Sequence, residues 1–392
     1  MNILQRLARR RLVVFALAAG ALVASCVPIR LEASWPSVSL IGPEKNVMLA
    51  YHDRLVMVDR RDGMPVKLRN ADGEVRLDEQ GNPRIWEFVV ADGGQPTQFY
   101  SAPVLTDSNQ LLVATYHNKL FRIDLPTARS ASTAGTDLPG AVLADPILTG
   151  NRLLLGLAEH NMVALDNQNF TTEAWRIETQ RGVWANPLMV DDVVYFGTLD
   201  HHLYAVNAET GAELWQLNLD GAVMGQPAYH DGHLYIGSLA RKLFDISDSG
   251  QILAEYETAD WVWASPALVD GILYATDLSG TVYALEVGAG GFREIWRAKP
   301  ASDSIAGRPV VWNEYVIVGS RDRNVYWLNR ETGATFFFRT VADEVLSDLV
   351  LIEPDELVDI PEAYVIVSTV ANGELLVAFT AQNGERVWSY GR

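Results

Sequence analysis

The sequence predicts an all-β fold, an eight-bladed β-propeller built from four-stranded antiparallel blades. One pattern returns along the chain at a regular spacing, as in the segments Trp184–Pro187 and Trp263–Pro266. Each unit contains four short apolar runs separated by turn residues, and helical periodicity is absent from the repeating part. A spacing of about 40 residues with four short strands in each unit is typical of a propeller blade.

Six units open on a proline, which suits the first residue of a strand because no N–H is required there. Seven units align on Pro103, Pro146, Pro187, Pro227, Pro266, Pro309 and, in the last, Leu349. A degenerate unit precedes them, where Tyr51–Leu55 resembles Tyr116–Leu120. The repeat therefore predicts eight units between Trp35 and Arg392.

Two further positions repeat with the prolines. The residue two places before each proline is small, which is expected where the innermost strands converge on one axis: Ser101, Ala144, Ala185, Gly225, Ala264, Gly307 and Ser347. The last strand often carries an aromatic residue, which we interpret as packing between adjacent blades: Trp86, Trp175, Trp215, Trp296, Phe337 and Trp388.

Two segments interrupt the repeat, and both are predicted to protrude. Met64–Arg84 is a polar, turn-rich insertion in the first unit, and Glu353–Glu362 is an acidic segment with two prolines. Inserted loops are common places for recognition on a scaffold.

The segment that precedes Cys26 predicts an export signal. Four arginines come before an apolar run over Leu12–Leu22, which is too short to span a bilayer, and small residues lead to Cys26. Val23–Cys26 resembles the bacterial lipobox, which implies cleavage before Cys26 and acylation of that residue. We therefore expect a signal peptide over 1–25, a linker over 26–34 and a propeller over 35–392, anchored by lipid on the periplasmic or extracellular face of a bacterial membrane. An ordinary signal peptide with a chance cysteine is the alternative.

Composition limits the partners. The net charge is −18, which argues against nucleic acid because phosphate binding needs clustered Lys and Arg. Apolar residues are 48% of the chain, enough for one large core, and we expect a monomeric ring.

The residues just before the prolines form one candidate binding face. The residue next to each proline is mostly polar, which indicates either a polar binding ring or a water-filled channel: Asp145, Asn186, Gln226, Ser265, Arg308 and Asp348. Large side chains lie close by, and they indicate either an interface or a packed layer: Tyr100, Trp184, Met224, Trp261 and Trp263.

Catalytic and metal motifs are not found. The pair His201–His202 falls in a predicted hairpin turn, and His230 and His233 flank another turn, so neither is expected to converge on a metal. The chain has no Gly-x-Ser-x-Gly, His-Glu-x-x-His or P-loop pattern. We expect no catalytic residue, metal or cofactor.

Ala205–Trp215 resembles the tryptophan-docking repeat of PQQ-type quinoprotein propellers, and Ala378–Trp388 is a second match. Eight units together with a lipobox also resemble the propeller lipoproteins of the outer-membrane β-barrel assembly machinery. That resemblance implies a non-catalytic scaffold that holds another periplasmic protein. In those lipoproteins an N-terminal strand closes the last blade, whereas Arg386–Tyr390 is predicted to supply a final strand here, which would leave Trp35–Leu40 to open the first blade; the sequence does not decide between these two closures.

The function predicted from the sequence is a lipid-anchored protein-interaction scaffold at the bacterial cell envelope. A PQQ-dependent oxidoreductase with PQQ and calcium is one alternative, although the single cysteine excludes the vicinal disulfide found in many such enzymes. A ligand- or glycan-binding module is the other.

Overall fold

The computed structural model describes residues 35–90, 98–288 and 290–391. These residues form eight antiparallel sheets that follow one another along the chain. Each sheet is one blade, and its strands pair in sequence order. The helical segments in the described ranges are the short 3₁₀ turns Glu356–Val358 and Asn372–Glu374. Neither of these turns has the length and apolar character of a membrane span.

The strands of the first four blades have the following bounds. Blade 1 contains β1 to β4: Ser37–Ile41, Asn46–Tyr51, Arg54–Val58 and Glu87–Val89. Blade 2 contains β5 to β9: Val104–Leu105, Gln110–Ala114, Lys119–Asp124, Arg129–Ser130 and Thr136–Asp137, the last two both pairing with β7. Blade 3 contains β10 to β13: Ile147–Thr149, Arg152–Gly156, Met162–Asp166 and Glu173–Ile177. Blade 4 contains β14 to β17: Leu188–Val190, Val193–Gly197, His202–Asn207 and Glu213–Asn218.

The other four blades contain four strands each. Blade 5 contains β18 to β21: Ala228–His230, His233–Ser238, Lys242–Ser247 and Ile252–Glu257. Blade 6 contains β22 to β25: Ala267–Val269, Ile272–Thr276, Val282–Glu286 and Arg293–Ala298. Blade 7 contains β26 to β29: Val310–Trp312, Tyr315–Gly319, Asn324–Asn329 and Thr335–Thr340. Blade 8 contains β30 to β33: Val350–Ile352, Tyr364–Ser368, Leu376–Thr380 and Arg386–Tyr390.

The core lies between the blades. Eight clusters of buried apolar residues occur, and each joins two neighbouring blades. The cluster that joins blade 8 to blade 1 packs Leu49 and Val56 with Ile366 and Leu376. Eight sheets joined at eight seams form a closed ring, which confirms the predicted propeller.

The ring closes without exchange of a strand. β1 pairs with β2 inside blade 1, and β33 pairs with β32 as the outer strand of blade 8. Across this seam the indole Nε1 of Trp388 donates to the carbonyl oxygen of Arg60 at 3.1 Å. The Arg60 guanidinium, which is buried, pairs with Asp355 at 2.7 Å. The first blade is thus opened by the segment that the sequence indicated.

Outer-strand tryptophans connect adjacent blades, as the sequence predicted. The Trp175 Nε1 donates to the carbonyl oxygen of Ala208 in the next blade at 2.9 Å, and its ring covers Gly211. Trp215 and Trp296 repeat this contact on Gly250 and on Gly333. Each of these glycines has a positive φ, a conformation that glycine adopts without steric cost.

The small residues before the prolines lie where neighbouring blades approach most closely. A Cβ atom on Gly225 would come within 2.8 Å of the Ala264 backbone in the next blade. A Cβ atom on Gly307 would come within 2.5 Å of the Ser347 carbonyl oxygen. The narrow centre of the ring therefore explains the small side chains.

The antiparallel order gives the ring two different faces. The turns between second and third strands lie on one face with the segments that link successive blades, and we call it the crossover face. Hydrogen bonds join these two sets of loops, for example from Leu199 N to Gly182 O at 3.0 Å. The other turns lie on the opposite face, with both insertions. The first insertion forms short bridges, including Arg69 to Val75, and the second bridges Asp355 to Ile360.

The predicted signal peptide over 1–25, Cys26 and the linker over 26–34 lie outside the described residues. They stay predictions.

Candidate functional site

The crossover segments are extended, and their side chains alternate. In the segment before blade 4, Val183, Ala185 and Pro187 are buried, whereas Trp184 and Asn186 between them are only half-buried. The alternation follows from an extended backbone, in which neighbouring side chains point to opposite sides. The crossover into blade 4 thus places one large residue and one polar residue on the crossover face.

The residues next to the prolines form a belt of hydrogen bonds around the centre of the ring. The belt comprises Ala102, Asp145, Asn186, Gln226, Ser265, Arg308 and Asp348. Ala102 N donates to Asp145 Oδ1 at 2.6 Å, and Asp145 N donates to Asn186 Oδ1 at 2.8 Å. Asn186 Nδ2 returns a bond to Asp145 Oδ2 at 2.8 Å. A side chain of one blade thus satisfies a backbone N–H of the preceding blade.

The same arrangement continues on the other side of the belt. Gln226 N donates to Ser265 Oγ at 2.8 Å, and Arg308 N donates to Asp348 Oδ1 at 2.8 Å. Gln226 also donates through Nε2 to the carbonyl oxygen of Pro187 at 2.7 Å. Most of the predicted polar ring therefore joins the blades, a role that the sequence alone did not indicate.

Two carboxyl groups of the belt have raised pKa values. Removal from bulk water and, to a smaller extent, the negative charge of Asp348 together raise the pKa of Asp145 from 3.8 to about 6, against the opposing effect of the bonds from Ala102 N and Asn186. Removal from water also raises the pKa of Asp348, although the bond from Arg308 N and the Arg308 charge oppose that shift. The centre of the belt therefore disfavours additional negative charge.

Large side chains surround part of the belt, and we call them the apolar arc: Trp35, Tyr100, Trp184, Met224, Trp261 and Trp263. The Tyr100 ring lies between those of Trp35 and Tyr116, with centroid distances of 5.3 and 5.7 Å. The Trp184 Nε1 donates to Ala158 O at 2.7 Å, which fixes the indole orientation. Tyr100 is buried, whereas the other five residues of the arc are half-buried.

The arc does not extend around the whole face. The crossovers into blades 7 and 8 carry Ala306 and Leu346 at the equivalent position. Charged pairs replace the aromatic residues there, including Arg321 with Glu344 at 2.9 Å. Arg308 and Asp348 therefore lie on the charged side of the belt.

Trp35 is the member of the apolar arc that the repeat pattern did not indicate. It precedes Pro36, which is buried and lies directly before β1 as the other prolines precede their first strands. The dipeptide Trp35–Pro36 was therefore a signal for the opening of blade 1.

The histidines that the sequence singled out make local contacts. The His202 Nδ1 lies 2.9 Å from the carbonyl oxygen of Asp200 in the same turn. The His233 Nδ1 lies 2.8 Å from the buried carboxylate of Asp245. Across residues 35–90, 98–288 and 290–391, no three His, Cys, Asp or Glu side chains group as metal ligands would.

Comparison with known proteins shows the family to which this chain belongs. A family model described as outer membrane protein assembly factor BamB matches residues 71–221, 199–292 and 280–392. The chain belongs to this family. The matches cover blades 2 to 8 and part of blade 1, which agrees with the weaker repeat in the first unit.

Individual relatives are more distant. BamB of Shewanella oneidensis is 30% identical over 183 residues, which are 42% of this chain and 45% of that protein. A putative dehydrogenase, XoxF of Paracoccus denitrificans, is 31% identical over 200 residues, which are 47% of this chain and 32% of that protein. The chain thus spans about half or less of the length of these relatives.

Solved structures show the same fold. The crystal structure of BamB from Moraxella catarrhalis matches with a TM-score of 0.64 and 18% identity, covering 88% of this chain and 97% of that one. The computationally designed Ika8 protein matches with a TM-score of 0.62 and 16% identity, covering 92% and 98%. A designed protein and a natural one share the architecture, so function must be argued from the faces of this ring.

Proposed function

We propose that this chain is a non-catalytic, lipid-anchored scaffold that holds a protein of the outer-membrane protein assembly machinery on its crossover face. The family match and the BamB relatives support the assembly role. The proposed partner is a protein of the cell envelope, and membrane attachment is through lipidated Cys26.

The apolar arc is the observation that carries this proposal. Trp and Tyr are enriched at the energetically important centres of protein interfaces. The Trp184 indole is fixed by its bond to Ala158 O, so little side-chain freedom is lost when a partner binds. The neighbouring charged pairs provide a polar rim, as interfaces usually have.

The experiment is capture of partners from solubilised envelopes by the full-length, membrane-anchored protein. We expect the double variant Trp184→Ala/Trp263→Ala to recover outer-membrane assembly proteins at least about tenfold less well, since two anchors typically contribute about 2 kcal/mol or more. The matched control is Phe336→Ala/Phe338→Ala, which removes two rings that are 51% and 52% exposed on the outer strand of blade 7. Equal recovery by both variants would exclude the arc as the docking site.

One observation supports a second candidate, a PQQ-dependent oxidoreductase, namely the similarity to XoxF. Calcium prefers six to eight oxygen ligands. The belt does not fit that requirement, because Asp145 and Asn186 bond to each other and to backbone N–H groups. Dye-linked dehydrogenase activity after titration with PQQ and calcium would favour the enzyme and contradict the scaffold.

A further inference from the structure

A second site lies at the seam between blade 8 and blade 1. A cavity of about 550 Å³ opens there on the crossover face. This volume falls within the range that small-molecule sites usually have. None of its lining residues belongs to the belt or the apolar arc: Leu49, Tyr51, His52, Asp53, Arg54, Val56, Gln98, Asn372, Leu375 and Tyr390.

The cavity coincides with two departures from the repeat. The second turn of each blade joins its second and third strands. In blades 2 to 7, five residues lie between the equivalent paired residues at the ends of these strands, such as Gly197 and Leu203. Four residues separate Ala50 from Leu55 in blade 1, and seven separate Ser368 from Leu376 in blade 8. The seam thus places the shortest of these turns beside the longest one.

A residue change at the same turn supplies a phenol. Six blades have a buried small polar residue directly after the second strand or at its end: Thr115, Thr198, Ser238, Asp277, Ser320 and Thr369. Blade 1 has Tyr51 there, whose hydroxyl donates to Val370 O in blade 8 at 3.3 Å. The Tyr51 ring contacts the His52 ring at a centroid distance of 4.0 Å. This aromatic pair forms one wall of the cavity.

The cavity carries little net charge. The Arg54 guanidinium bonds to Asp53 at 3.1 Å and to Glu87 at 2.8 Å, so its charge is balanced. Removal from water lowers the pKa of His52, so its imidazole is neutral at pH 7. An anionic ligand would find no free positive charge to compensate its loss of water.

Several hydrogen-bonding groups of the cavity remain available. The Gln98 Oε1 accepts from the Tyr100 hydroxyl at 2.9 Å, which leaves the amide NH₂ group as a donor. Within the described ranges, the Asn372 amide and the Tyr390 hydroxyl have no hydrogen-bond partner. Together with the His52 imidazole, these groups offer both donors and acceptors beside the apolar side chains of Leu49 and Leu375.

We infer that this seam cavity binds a neutral, hydroxyl-rich ligand of the size of a mono- or disaccharide. The C–H faces of a sugar ring pack on the faces of phenol rings, which carry partial negative charge. Its hydroxyls, each both donor and acceptor, match planar amides and an imidazole. Apolar walls with a few oriented polar groups are the usual composition of such sites.

Ligand binding at this place is linked to the stability of the ring. The ligand contacts turns of blades 1 and 8, which meet only when the ring is closed. A ligand that binds the folded state alone raises the free energy of unfolding by mass action. Binding is therefore expected to raise Tm as well as to release heat. This inference does not depend on the partner proposed for the crossover face.

The test is titration calorimetry and thermal unfolding of the full chain with glucose, maltose, N-acetylglucosamine and its β-1,4-linked dimer. We expect at least one of these sugars to bind with a Kd below about 10 mM. Asn372→Ala and Tyr390→Phe should each weaken that binding about fivefold or more, since each removes a hydrogen-bonding group. The matched control is His117→Ala, which alters the equivalent, exposed turn of blade 2 and should leave the Kd unchanged.

Three results would overturn the inference. One is that no sugar of the panel produces heat or a shift in Tm. Another is that Tyr390→Phe, which removes a single oxygen atom and keeps the ring, binds the sugar as well as the unaltered chain does. Binding of short tyrosine-containing peptides with the same dependence on Asn372, but not of sugars, would also contradict it by assigning the cavity to a peptide.

Discussion

The hydrogen bonds of individual side chains explain why the residues beside the prolines are mostly polar. A residue before proline is held extended, and its N–H lies just before the short innermost strand, where no ladder partner is available. Asp145 and Asn186 each supply an oxygen to such an N–H of the preceding blade. Burial of an unpaired N–H would be unfavourable, so these positions favour side chains with an acceptor.

Asp145→Asn tests this account through pH. The pKa of Asp145 in the folded chain is about 6, above its ordinary value of 3.8, so the folded state binds the proton more tightly. The stability from this group is complete below about pH 3.8 and is lost as pH rises through about 6. We expect the unaltered chain to lose on the order of 1–2 kcal/mol between pH 4.5 and 7.5, after allowance for solvent screening of this half-buried group.

The measurement is Tm as a function of pH for both chains. The substitution removes the titrating group and also disturbs the bond from Asn186 Nδ2, so a constant offset between the chains is expected. The informative quantity is the difference in slope, because the variant has no titrating group at position 145. Parallel curves from pH 4.5 to 7.5 would show that Asp145 does not carry the effect.

The sequence showed the polarity of this row but not its contacts. A single blade does not contain the partners of Asp145, because Ala102 and Asn186 belong to the preceding and the following repeat. The hydrogen bonds therefore appear only when neighbouring blades are placed together. For the same reason, the alternatives of a binding ring and a water-filled channel could not be decided from the residues.

At the level of strands, the outer tryptophan and the following turn form one connecting unit. In blade 3, Ala164 lies opposite Trp175, and the strand pairing shifts by one residue directly after it. The small Ala164 leaves room for the indole, and the shift bends the outer strand toward the next blade. Ala205 with Trp215 repeats this arrangement in blade 4.

Gly211→Ala tests the connection between a tryptophan and its turn. Its φ of +70° disfavours any side chain, and an added Cβ would lie 2.6 Å from Cγ of Trp175. We expect a loss of about 2–4 kcal/mol in the free energy of unfolding, from the left-handed conformation and the steric overlap together. Urea unfolding followed by tryptophan fluorescence measures it.

Gly150→Ala is the control for that variant. Gly150 also has a positive φ, of +47°, in a turn on the same face, but nothing lies within 4 Å of an added Cβ. We expect it to lose only about 1 kcal/mol, the conformational part alone. If both variants lose the same stability, the tryptophan contact does not contribute.

The strands themselves were well predicted from the sequence. The tryptophans, the turn glycines and the opening prolines recur at fixed spacing, and each has a local physical cause. Blade 2 was less predictable, because its outer strand is divided into Arg129–Ser130 and Thr136–Asp137 and carries no tryptophan. Blade 5 lacks one too, and Ala254 lies opposite Asp245 there, while Asp245 binds His233.

For the whole molecule, eight seams around one axis require a narrow centre. Gly225→Ala tests that requirement, since an added Cβ would come within 2.8 Å of backbone atoms of Ala264 and Ser265. We expect a loss of about 1–3 kcal/mol, because the backbone of the next blade must move. Gly288→Ala is the matched control: its φ is ordinary, nothing lies within 4 Å, and its effect should stay within about 0.5 kcal/mol.

Thermal unfolding of both variants measures this difference in stability. A Gly225→Ala ring as stable as the Gly288→Ala ring would mean that the blades do not converge as described.

The fold as a whole could be predicted because the repeat length, the number of repeats and the small residues at the centre of the ring all indicate a propeller. The candidate site was predictable only in part. The large side chains Trp184 and Trp263 stood out at the repeat spacing, whereas Trp35 belongs to a degenerate unit. The seam cavity was not predictable, since a short turn in the first blade and a long turn in the last one form it together, where Tyr51 meets Val370.

The last seam differs from the other seven in the distance along the chain that it spans. The bond from Trp388 to Arg60 joins residues 328 positions apart, whereas the corresponding bond from Trp175 spans 33. Seven seams join blades that follow one another along the chain and can therefore form in succession while the polypeptide emerges during synthesis or export, whereas the eighth joins blade 8 back to blade 1 and forms last. Until then the nascent protein is an incomplete ring that exposes an apolar blade surface at each end. A chaperone or a second incomplete ring could bind it during this interval.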